Sequence, residues 1–288
     1  MRRMAGPLCV LCCALGCLDR TAYGPAGYHC GVAADCPSGT TCFRERCEVL
    51  SARPVRPTAA NTGVPPDRSL TLSGPLVIET EGTVLDGLDV GGCLQIKANH
   101  VTVRNSRITC ASYFAIDASF GAEDLLVEDV EIDGQGFSDS HALAGGALIA
   151  RRLDIHGVLR GATLGSHSRL EGSYLHDFVD AKPLGVEVNG GTDITATGNA
   201  VDLAPNTRGW AVFMNGGTSA LSASAVTQNW LNGGSDTVAA GGGGFGSGGV
   251  EVHHNRFGRL FADAALSLGS GAVQYENVYD DNGAPVSP

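Results

Sequence analysis

The 288-residue sequence is poor in aromatic residues and in long apolar runs, and both shortages restrict its fold. Aromatic residues make up only 6% of the chain, so small aliphatic side chains must form most of the core. After the first twenty residues no apolar run of 18 residues occurs, which argues against a membrane-spanning helix there. The 41 glycines disfavour long helices. These features favour a β protein with many turns.

Positive charge is also scarce. The chain has 19 Lys and Arg against 30 Asp and Glu, a net charge of −11 at pH 7. Because such a surface repels phosphate backbones, we do not expect nucleic acid as a partner. The sequence has no G-x-S-x-G elbow and no H-E-x-x-H motif. The glycine-rich run at 241–246 is not followed by the helix pattern of a nucleotide site.

The first sixteen residues predict a signal peptide. Arg2 and Arg3 form a basic start, and residues 8–16 are a short apolar stretch that ends in small residues. Residues 14–17, ALGC, resemble the lipobox of bacterial lipoproteins, which implies a lipid on Cys17 and a membrane as partner. An ordinary signal peptide is the alternative. We therefore expect a secreted, lipid-anchored protein of the bacterial cell surface.

Residues 17–50 are expected to be the lipidated N-terminus and a small cysteine-rich module. Four closely spaced cysteines predict two disulfides, whose pairing the spacing leaves open; they are Cys30, Cys36, Cys42 and Cys47. A zinc site is the alternative, although no C-x2-C pair is present. The spacing resembles that of cysteine-rich modules in bacterial surface proteins. Residues 51–68, rich in Pro and without periodicity, predict a linker to a domain at 69–288.

The domain at 69–288 is built from a repeat of short alternating segments. The copies are VLDGLDV at 84–90, VTVRNSRI at 101–108, LLVEDVEI at 125–132, LIARRLDI at 148–155, SRLEGSYL at 168–175, ITATGNAV at 194–201, SAVTQNWL at 224–231, VEVHHNRF at 250–257 and, more weakly, AVQYENVY at 272–279. The last residues of the first eight copies, our markers, are Val90, Ile108, Ile132, Ile155, Leu175, Val201, Leu231 and Phe257. Successive markers lie 18 to 30 residues apart, a spacing that suits the turns of a β-helix.

A second alternating strand follows most copies, with Leu94/Ile96, Phe114/Ile116, Ala162/Leu164, Val186/Val188, Val212/Met214 and Leu266/Leu268 expected to point inward. One polar position recurs two residues before the marker, where we expect a stacked ladder and a left-handed turn residue: Ser106, Ser173, Asn199, Asn229 and Asn255. Residues 232–249 predict a flexible loop. An array of helical repeats is disfavoured by the period of two. The fold class is therefore all-β, a right-handed single-stranded parallel β-helix of about nine rungs, preceded by the cysteine-rich module.

Residues 74–288 resemble the right-handed parallel β-helix of the pectate lyase-like superfamily, which includes polysaccharide lyases and glycoside hydrolases. The resemblance implies a polysaccharide as partner. The segments LDIHGVLRGATLG and GSYLHDFVD are similar to a subset of bacterial β-helix proteins, in which a stretch close to H-N-D-G-V-Q follows. Here residues 182–187 read KPLGVE, so the His and Asp of that stretch are absent.

The residue after each marker is expected to form a polar column at the strand exits. Asp133, His156, His176 and Asp202 occupy this column, and Asp154 and Asp177 flank the two histidines. A carboxylate beside an imidazole can orient it and raise its pKa, which suits acid/base catalysis. We expect the catalytic set to be His156, His176, Asp177 and Lys182. The alternative is a hydrated ladder that only satisfies backbone groups.

Other polar residues are candidates for ligand binding. The substrate-binding set is Asp133, Arg160, Glu187, Asp202, Phe213 and Trp230, the last two as outward aromatic platforms on successive rungs. The oxygen ligands of a candidate Ca²⁺ site are Asp154, Asp177 and Asp180. Cys93 and Cys110 are either disulfide-bonded or two buried thiols. Two functions stay open: a carbohydrate-active enzyme, either lyase or hydrolase, and a non-catalytic polysaccharide-binding or structural protein.

Overall fold

A computed structural model describes the backbone of residues 40–43 and 46–49, and residues 55–179, 182–205 and 207–287 in full. The chain divides into two units, residues 1–55 and 56–288. In the first unit, strands β1 (Thr40–Phe43) and β2 (Arg46–Val49) pair antiparallel, with Cys42 opposite Cys47. Cys17, Cys30 and Cys36 lie outside the described residues, so the predictions for them stay predictions.

The second unit is a parallel β-helix with three sheets, and successive strands of the chain belong to each sheet in turn. Sheet I contains β3 (Thr71–Ser73), β6 (Leu88–Gly91), β9 (Arg107–Thr109), β12 (Glu131–Asp133), β15 (Asp154–His156), β18 (Tyr174–Leu175), β22 (Ala200–Asp202), β25 (Trp230–Asn232), β28 (Arg256–Phe257) and β31 (Val278–Tyr279). Sheet II contains β4 (Leu76–Ile78), β7 (Leu94–Ile96), β10 (Phe114–Ala118), β13 (His141–Gly145), β16 (Arg160–Leu164), β19 (Leu184–Val188), β23 (Trp210–Met214), β26 (Asp236–Ala240) and β29 (Ala264–Leu268). Sheet III contains β5 (Val84–Asp86), β8 (Thr102–Arg104), β11 (Leu125–Glu128), β14 (Leu148–Arg151), β17 (Arg169–Glu171), β21 (Thr195–Thr197), β24 (Leu221–Thr227), β27 (Ser247–His253) and β30 (Ala272–Tyr275), and β20 (Gly191–Thr192) pairs with β24. None of the described residues forms a helix that could cross a membrane.

The core consists of columns of inward-pointing side chains. Each column takes one residue from each of the stacked strands of a sheet. All eight markers on sheet I are at most 1% exposed, and they stack in register from Val90 to Phe257. The predicted inward column on sheet II is confirmed for Leu94, Val186 and Val212. Phe114 is an exception: it is half-buried, and its ring lies 5.0 Å from that of His141 on the next turn.

A buried asparagine ladder links the turns between sheets III and I. The Oδ1 atom of Asn199 accepts the Ser173 N–H at 2.9 Å, and Asn229 accepts the Asn199 N–H at 2.8 Å. Asn255 and Asn277 continue the ladder at 3.0 Å each. Because each amide side chain replaces the backbone partner that the turn removes, no buried N–H of these four steps lacks an acceptor. The predicted ladder is confirmed.

The prediction of left-handed geometry at the ladder residues was wrong by one position. The preceding residues have the positive φ: Gly172 at 54°, Gly198 at 66°, Gln228 at 58°, His254 at 55° and Glu276 at 54°. The ladder residue must keep an ordinary backbone because its side chain points inward to the next turn. Consequently the exposed turn residue takes the unusual conformation, at a cost of about 1–2 kcal/mol for a non-glycine residue.

Two further expectations are resolved by the fold. Residues 232–249 are not a loop that leaves the solenoid, since β26 pairs in parallel with β23 and β29. The alternating side chains of Val238 and Ala240 are buried, at 0% and 2% exposure, which explains the strand. Cys93 and Cys110 form a disulfide on successive turns, with a Cα–Cα distance of 5.1 Å.

A segment without repeats lies along the outer face of sheet I. This segment, residues 56–68, is here called the strap; it belongs to the second unit although its composition predicted a linker. Arg56 binds the carboxylate of Asp202 on β22 with N–O distances of 2.8 and 2.9 Å. Further along, the Gly63 N–H donates to the carbonyl oxygen of Arg152 at 2.8 Å. The strap therefore runs beside sheet I from β22 to β15.

Candidate functional site

The predicted polar column exists on the outer face of sheet I. Asp133 pairs with His156 in the parallel register, and Asp202 pairs with Asn232. His176 follows Leu175, which pairs with Ile155, so it lies one turn from His156. The two imidazole ring centres are 5.4 Å apart. This proximity follows from the equal strand spacing of about 4.8 Å in any parallel sheet.

His176 is held between two carboxylates. Its Nε2 atom lies 2.8 Å from Asp154 Oδ1, and its Nδ1 atom lies 2.8 Å from Asp177 Oδ2. The ring also stacks on Tyr174 at a centroid distance of 4.2 Å. Burial lowers the pKa of His176, but the hydrogen bonds to Asp154 and Asp177 outweigh it and raise the pKa above its ordinary value. Both ring nitrogens can donate only in the imidazolium form, so this arrangement favours the protonated ring.

His156 has acidic neighbours on the preceding turn. Its Nε2 atom is 3.5 Å from Glu131 Oε1, and its Nδ1 atom is 3.8 Å from Asp133 Oδ1. The hydrogen bond to Glu131 raises the pKa of His156 despite partial burial. The same bond lowers the pKa of Glu131, and Arg107 reinforces that effect at 3.0 Å. Each histidine of the pair therefore has its own carboxylate.

The acidic column continues beyond the histidines to Asp202. Burial and the nearby Asp202 raise the pKa of Tyr174 to about 12, so this phenol stays neutral. Arg56 of the strap neutralises Asp202 from the other side. The face thus combines imidazoles, carboxylates and a phenol across four adjacent strands.

The residues expected to bind Ca²⁺ do not fit that ion. Asp154 and Asp177 bind opposite nitrogens of the His176 ring, so their carboxylates do not converge on one point. Asp180 lies outside the described residues. No group of three or more His, Cys, Asp or Glu side chains suited to a metal occurs in the part of the chain that the structure describes.

Arg160 and Glu187 lie on sheet II, away from the sheet I column. They form an ion pair with an N–O distance of 2.6 Å, and Glu187 is only 7% exposed. Thr163 and Asn189 also donate to the Glu187 carboxylate, at 3.3 and 2.8 Å. The nearby His141, which the sequence analysis did not select, is within 3.2 Å of Thr163 Oγ1. Arg160 and Glu187 therefore form a separate buried network.

The remaining predicted residues do not form one surface. Lys182 is exposed in the connection before β19. Phe213 lies on β23 of sheet II, with its ring 5.3 Å from Trp210. Trp230 lies on β25 of sheet I. The expected platform of Phe213 and Trp230 was wrong because the two strands belong to different sheets.

The sequence analysis missed three residues of the sheet I site. Glu131 and Arg107 lie two residues before the column positions, so their side chains point outward on the same strands. Strand alternation alone could have identified both. Arg56 could not have been found in this way, because the strap has no repeat to align.

The strap approaches the site most closely at Gly63. A Cβ atom at Gly63 would lie 2.8 Å from the Asp154 Cβ atom and 3.6 Å from the Glu131 Cβ atom. The φ of Gly63 is +73°, a value that also favours glycine. The strap thus covers the Glu131–Asp154 column, while His156 keeps 26% of its side-chain surface exposed.

Comparison of the chain with protein-family models, curated proteins and solved structures gave no match. The parallel β-helix is shown by the strand register itself. The resemblance to the pectate lyase-like superfamily stays a prediction, and the function is argued from the geometry.

Proposed function

We propose that the protein is a secreted, carbohydrate-active β-helix protein that binds an extended polysaccharide along the outer face of sheet I. The observation that carries the proposal is the pair of carboxylate-bound imidazoles of His156 and His176, 5.4 Å apart. A parallel β-helix presents equivalent positions on successive turns, which suits a polymer with a repeating unit.

His176 is the stronger candidate for the general acid/base. Asp154 is largely buried and fixes the Nε2 side of the ring, whereas the Asp177 side chain is 85% exposed. Rotation of Asp177 into solvent would free Nδ1 to exchange a proton with a bound sugar. A raised pKa favours the protonated ring, which suits a group that donates a proton.

Both hydrolysis and elimination use groups present on this face. A hydrolase needs two carboxyl groups across the scissile bond, and Asp133, Asp154 and Asp177 supply carboxylates near the histidines. A lyase needs a base and a positive group beside the uronate carboxylate. Arg107 is the basic residue bound within this cluster, since Arg160 lies on sheet II. No step of either reaction is assigned to Ca²⁺.

A non-catalytic polysaccharide-binding protein is the second candidate. One observation favours it: both nitrogens of His176 already have partners, and only 15% of its side chain is exposed. An imidazole whose two nitrogens already have partners, and which is partly covered, can hold the neighbouring side chains in place. It is less suited to exchanging protons with a ligand. In this case the column would provide hydroxyl-binding groups without cleavage.

The proposed location is the bacterial cell surface. Support comes from the basic and apolar start of the chain and from Cys17 in a lipobox-like sequence. The Cys93–Cys110 disulfide agrees with an oxidising compartment outside the cytosol.

The test is incubation of the full chain with neutral and uronate-containing polysaccharides, with Ca²⁺ or with a chelator. New ultraviolet absorbance from unsaturated sugar ends would identify a lyase, and reducing ends alone would identify a hydrolase. We expect His176→Gln to remove most of either activity. His167→Gln is the matched control, because His167 lies near a carboxylate, Asp193, but next to sheet III.

Glycan retention without cleavage would select the second candidate. The proposal as a whole fails if no polysaccharide is cleaved or retained. It also fails in its choice of residues if His167→Gln and His176→Gln have equal effects.

A further inference from the structure

A groove lies at the end of sheet I, beyond the histidine pair. It has a volume of about 250 Å³ and is lined by Trp230, Asn232, Arg56, Arg256 and Arg259, among others. This volume is below the range of about 300–1,000 Å³ usual for drug-sized ligands, so it suits a single sugar ring. The groove and the histidine column lie on the same face of sheet I, and Arg56 of the strap, bound to Asp202, borders the groove on the side of the histidines.

Trp230 provides the apolar wall of the groove. It is half-buried on the outer side of β25 and pairs with Arg256 on the next turn. Adjacent parallel strands are about 4.8 Å apart, so an aromatic ring and a guanidinium face the same space. The C–H face of a pyranose packs well on an indole ring, and the indole loses little conformational entropy on binding.

Three arginines and two aspartates, Asp280 and Asp281, line the groove. Each lining arginine has an aspartate partner, and the N–O distances are 2.8 Å for Arg56–Asp202, 3.1 Å for Arg256–Asp280 and 2.9 Å for Arg259–Asp281. Arg259 is also fixed over the Tyr279 ring, 3.7 Å from its centroid. These pairs offer fixed donors beside fixed acceptors.

A glycine among the lining residues, Gly258, allows close packing of the Asn232 side chain. A Cβ atom at Gly258 would overlap Asn232 Oδ1, which accepts the Leu260 N–H at 3.2 Å. Asn232 therefore fixes the loop that borders the groove, and the missing side chain at Gly258 permits this contact.

These features select the charge of the ligand. A uronate carboxylate that approached the arginines would also approach the lining carboxylates of Asp280 and Asp281, and Arg56 is already paired with Asp202, on a chain of net charge −11. A cation would meet three guanidinium groups. A neutral sugar hydroxyl accepts from an arginine N–H and donates to an aspartate oxygen, so it can use both members of a pair.

We propose that this groove binds one neutral hexose ring of the polysaccharide, with the sugar face on Trp230 and its hydroxyl groups on the Arg–Asp pairs. The inference rests on the proposed function and narrows it. A neutral sugar has no carboxylate to acidify the neighbouring C–H, so elimination is disfavoured. The chemistry at the histidine pair is then hydrolysis or binding alone.

The test uses the two tryptophans of the chain, Trp210 and Trp230. In a full-length Trp210→Phe variant, the remaining indole fluorescence reports on the groove. Neutral gluco-, galacto- and manno-oligosaccharides are titrated against galacturonate oligomers of equal length. We expect a saturable change with at least one neutral series and about tenfold weaker binding of galacturonate.

Groove variants make the test specific. Arg259→Ala, made in the Trp210→Phe chain, should weaken neutral-sugar binding about tenfold, because it removes a charged donor. Trp230→Ala, followed by calorimetry, should remove most of the binding, and Trp230→Phe should restore part of it. Arg169→Ala on sheet III is the matched control and should bind normally. Arg259 belongs to an exposed ion pair, so its variant should fold even if Trp230→Ala does not.

Tighter binding of galacturonate than of every neutral series would overturn the inference. So would neutral-sugar binding that neither changes the Trp230 fluorescence nor depends on Arg259. If oligosaccharides fail to bind but polysaccharide is retained, the groove assignment is wrong and the proposed function stands. If no glycan is retained at all, both are wrong.

Discussion

His176 on sheet I and His141 on sheet II lie on outer faces of the same solenoid, but their protonation is shifted in opposite directions. His176 has a carboxylate at each nitrogen, which raises its pKa. His141 is 6% exposed, and burial together with the nearby positive charge of Arg160 lowers its pKa. At His141 burial has the largest effect on the pKa, whereas at His176 the interactions with two carboxylates together outweigh burial.

The outer faces of sheets I and II also differ in which parts of the chain cover them. The strap lies over part of sheet I, and Thr62 and Gly63 are buried against it. On sheet II the polar network is buried by its own strands, with Tyr113 and Phe114 packed on His141 at 4.7 and 5.0 Å. Sheet I is therefore covered by a separate segment of the chain, whereas the network on sheet II is covered by side chains of the same face.

The largest expected effect is a difference in stability between a variant that breaks an ion pair on sheet II and one that breaks an ion pair on sheet I. Arg160→Ala would leave the Glu187 carboxylate buried with only Thr163 and Asn189 as partners. We expect a loss of about 3 kcal/mol in the free energy of unfolding, measured by urea denaturation. The comparison variant Arg256→Ala removes a more exposed pair on sheet I and should cost less than about 1 kcal/mol. Equal losses would mean that Glu187 is not isolated from water.

A smaller effect should show how tightly the strap is packed on sheet I. Gly63→Ala and Gly82→Ala share the cost of a positive φ, about 1–2 kcal/mol, because their φ values are 73° and 70°. Only Gly63 has a neighbour within 4 Å of the new Cβ atom. We expect Gly63→Ala to cost about 1–3 kcal/mol more in urea denaturation and to speed proteolysis of the strap. Identical behaviour of the two variants would show that the strap is loosely held.

The smallest expected effect concerns the free energy of unfolding. Its dependence on pH should have opposite signs for His176 on sheet I and His141 on sheet II. The raised pKa of His176 stabilises the folded state below the unfolded value of about 6.5, and this contribution is lost as pH rises through the folded pKa. The lowered pKa of His141 destabilises the folded state as pH falls below about 6.5.

Unfolding of the wild type, His176→Gln and His141→Gln at several pH values tests both signs. The stability advantage of wild type over His176→Gln should shrink with rising pH. The advantage over His141→Gln should shrink with falling pH. The same sign for both variants would contradict the comparison, and NMR titration of the two rings would show which assignment fails.

The repeat pattern was sufficient to predict the solenoid, its inward columns and the order of the polar column. Parallel strands stack at equal spacing, so aligning the repeats was enough to place Asp133, His156 and His176 side by side. The asparagine ladder followed from the same alignment. Strand alternation also implied the outward direction of Glu131 and Arg107.

Which side chains contact one another at the site could be seen only in the folded chain. The second alternating strand of the repeat already set Glu187 and Phe213 apart from Trp230, but it could not show that Glu187 is buried against Arg160. The strap has no repeat, so its contact at Gly63 depends on long-range packing. Strand register is a local property of the repeat, whereas the contacts of outward side chains depend on whatever the rest of the chain places over them.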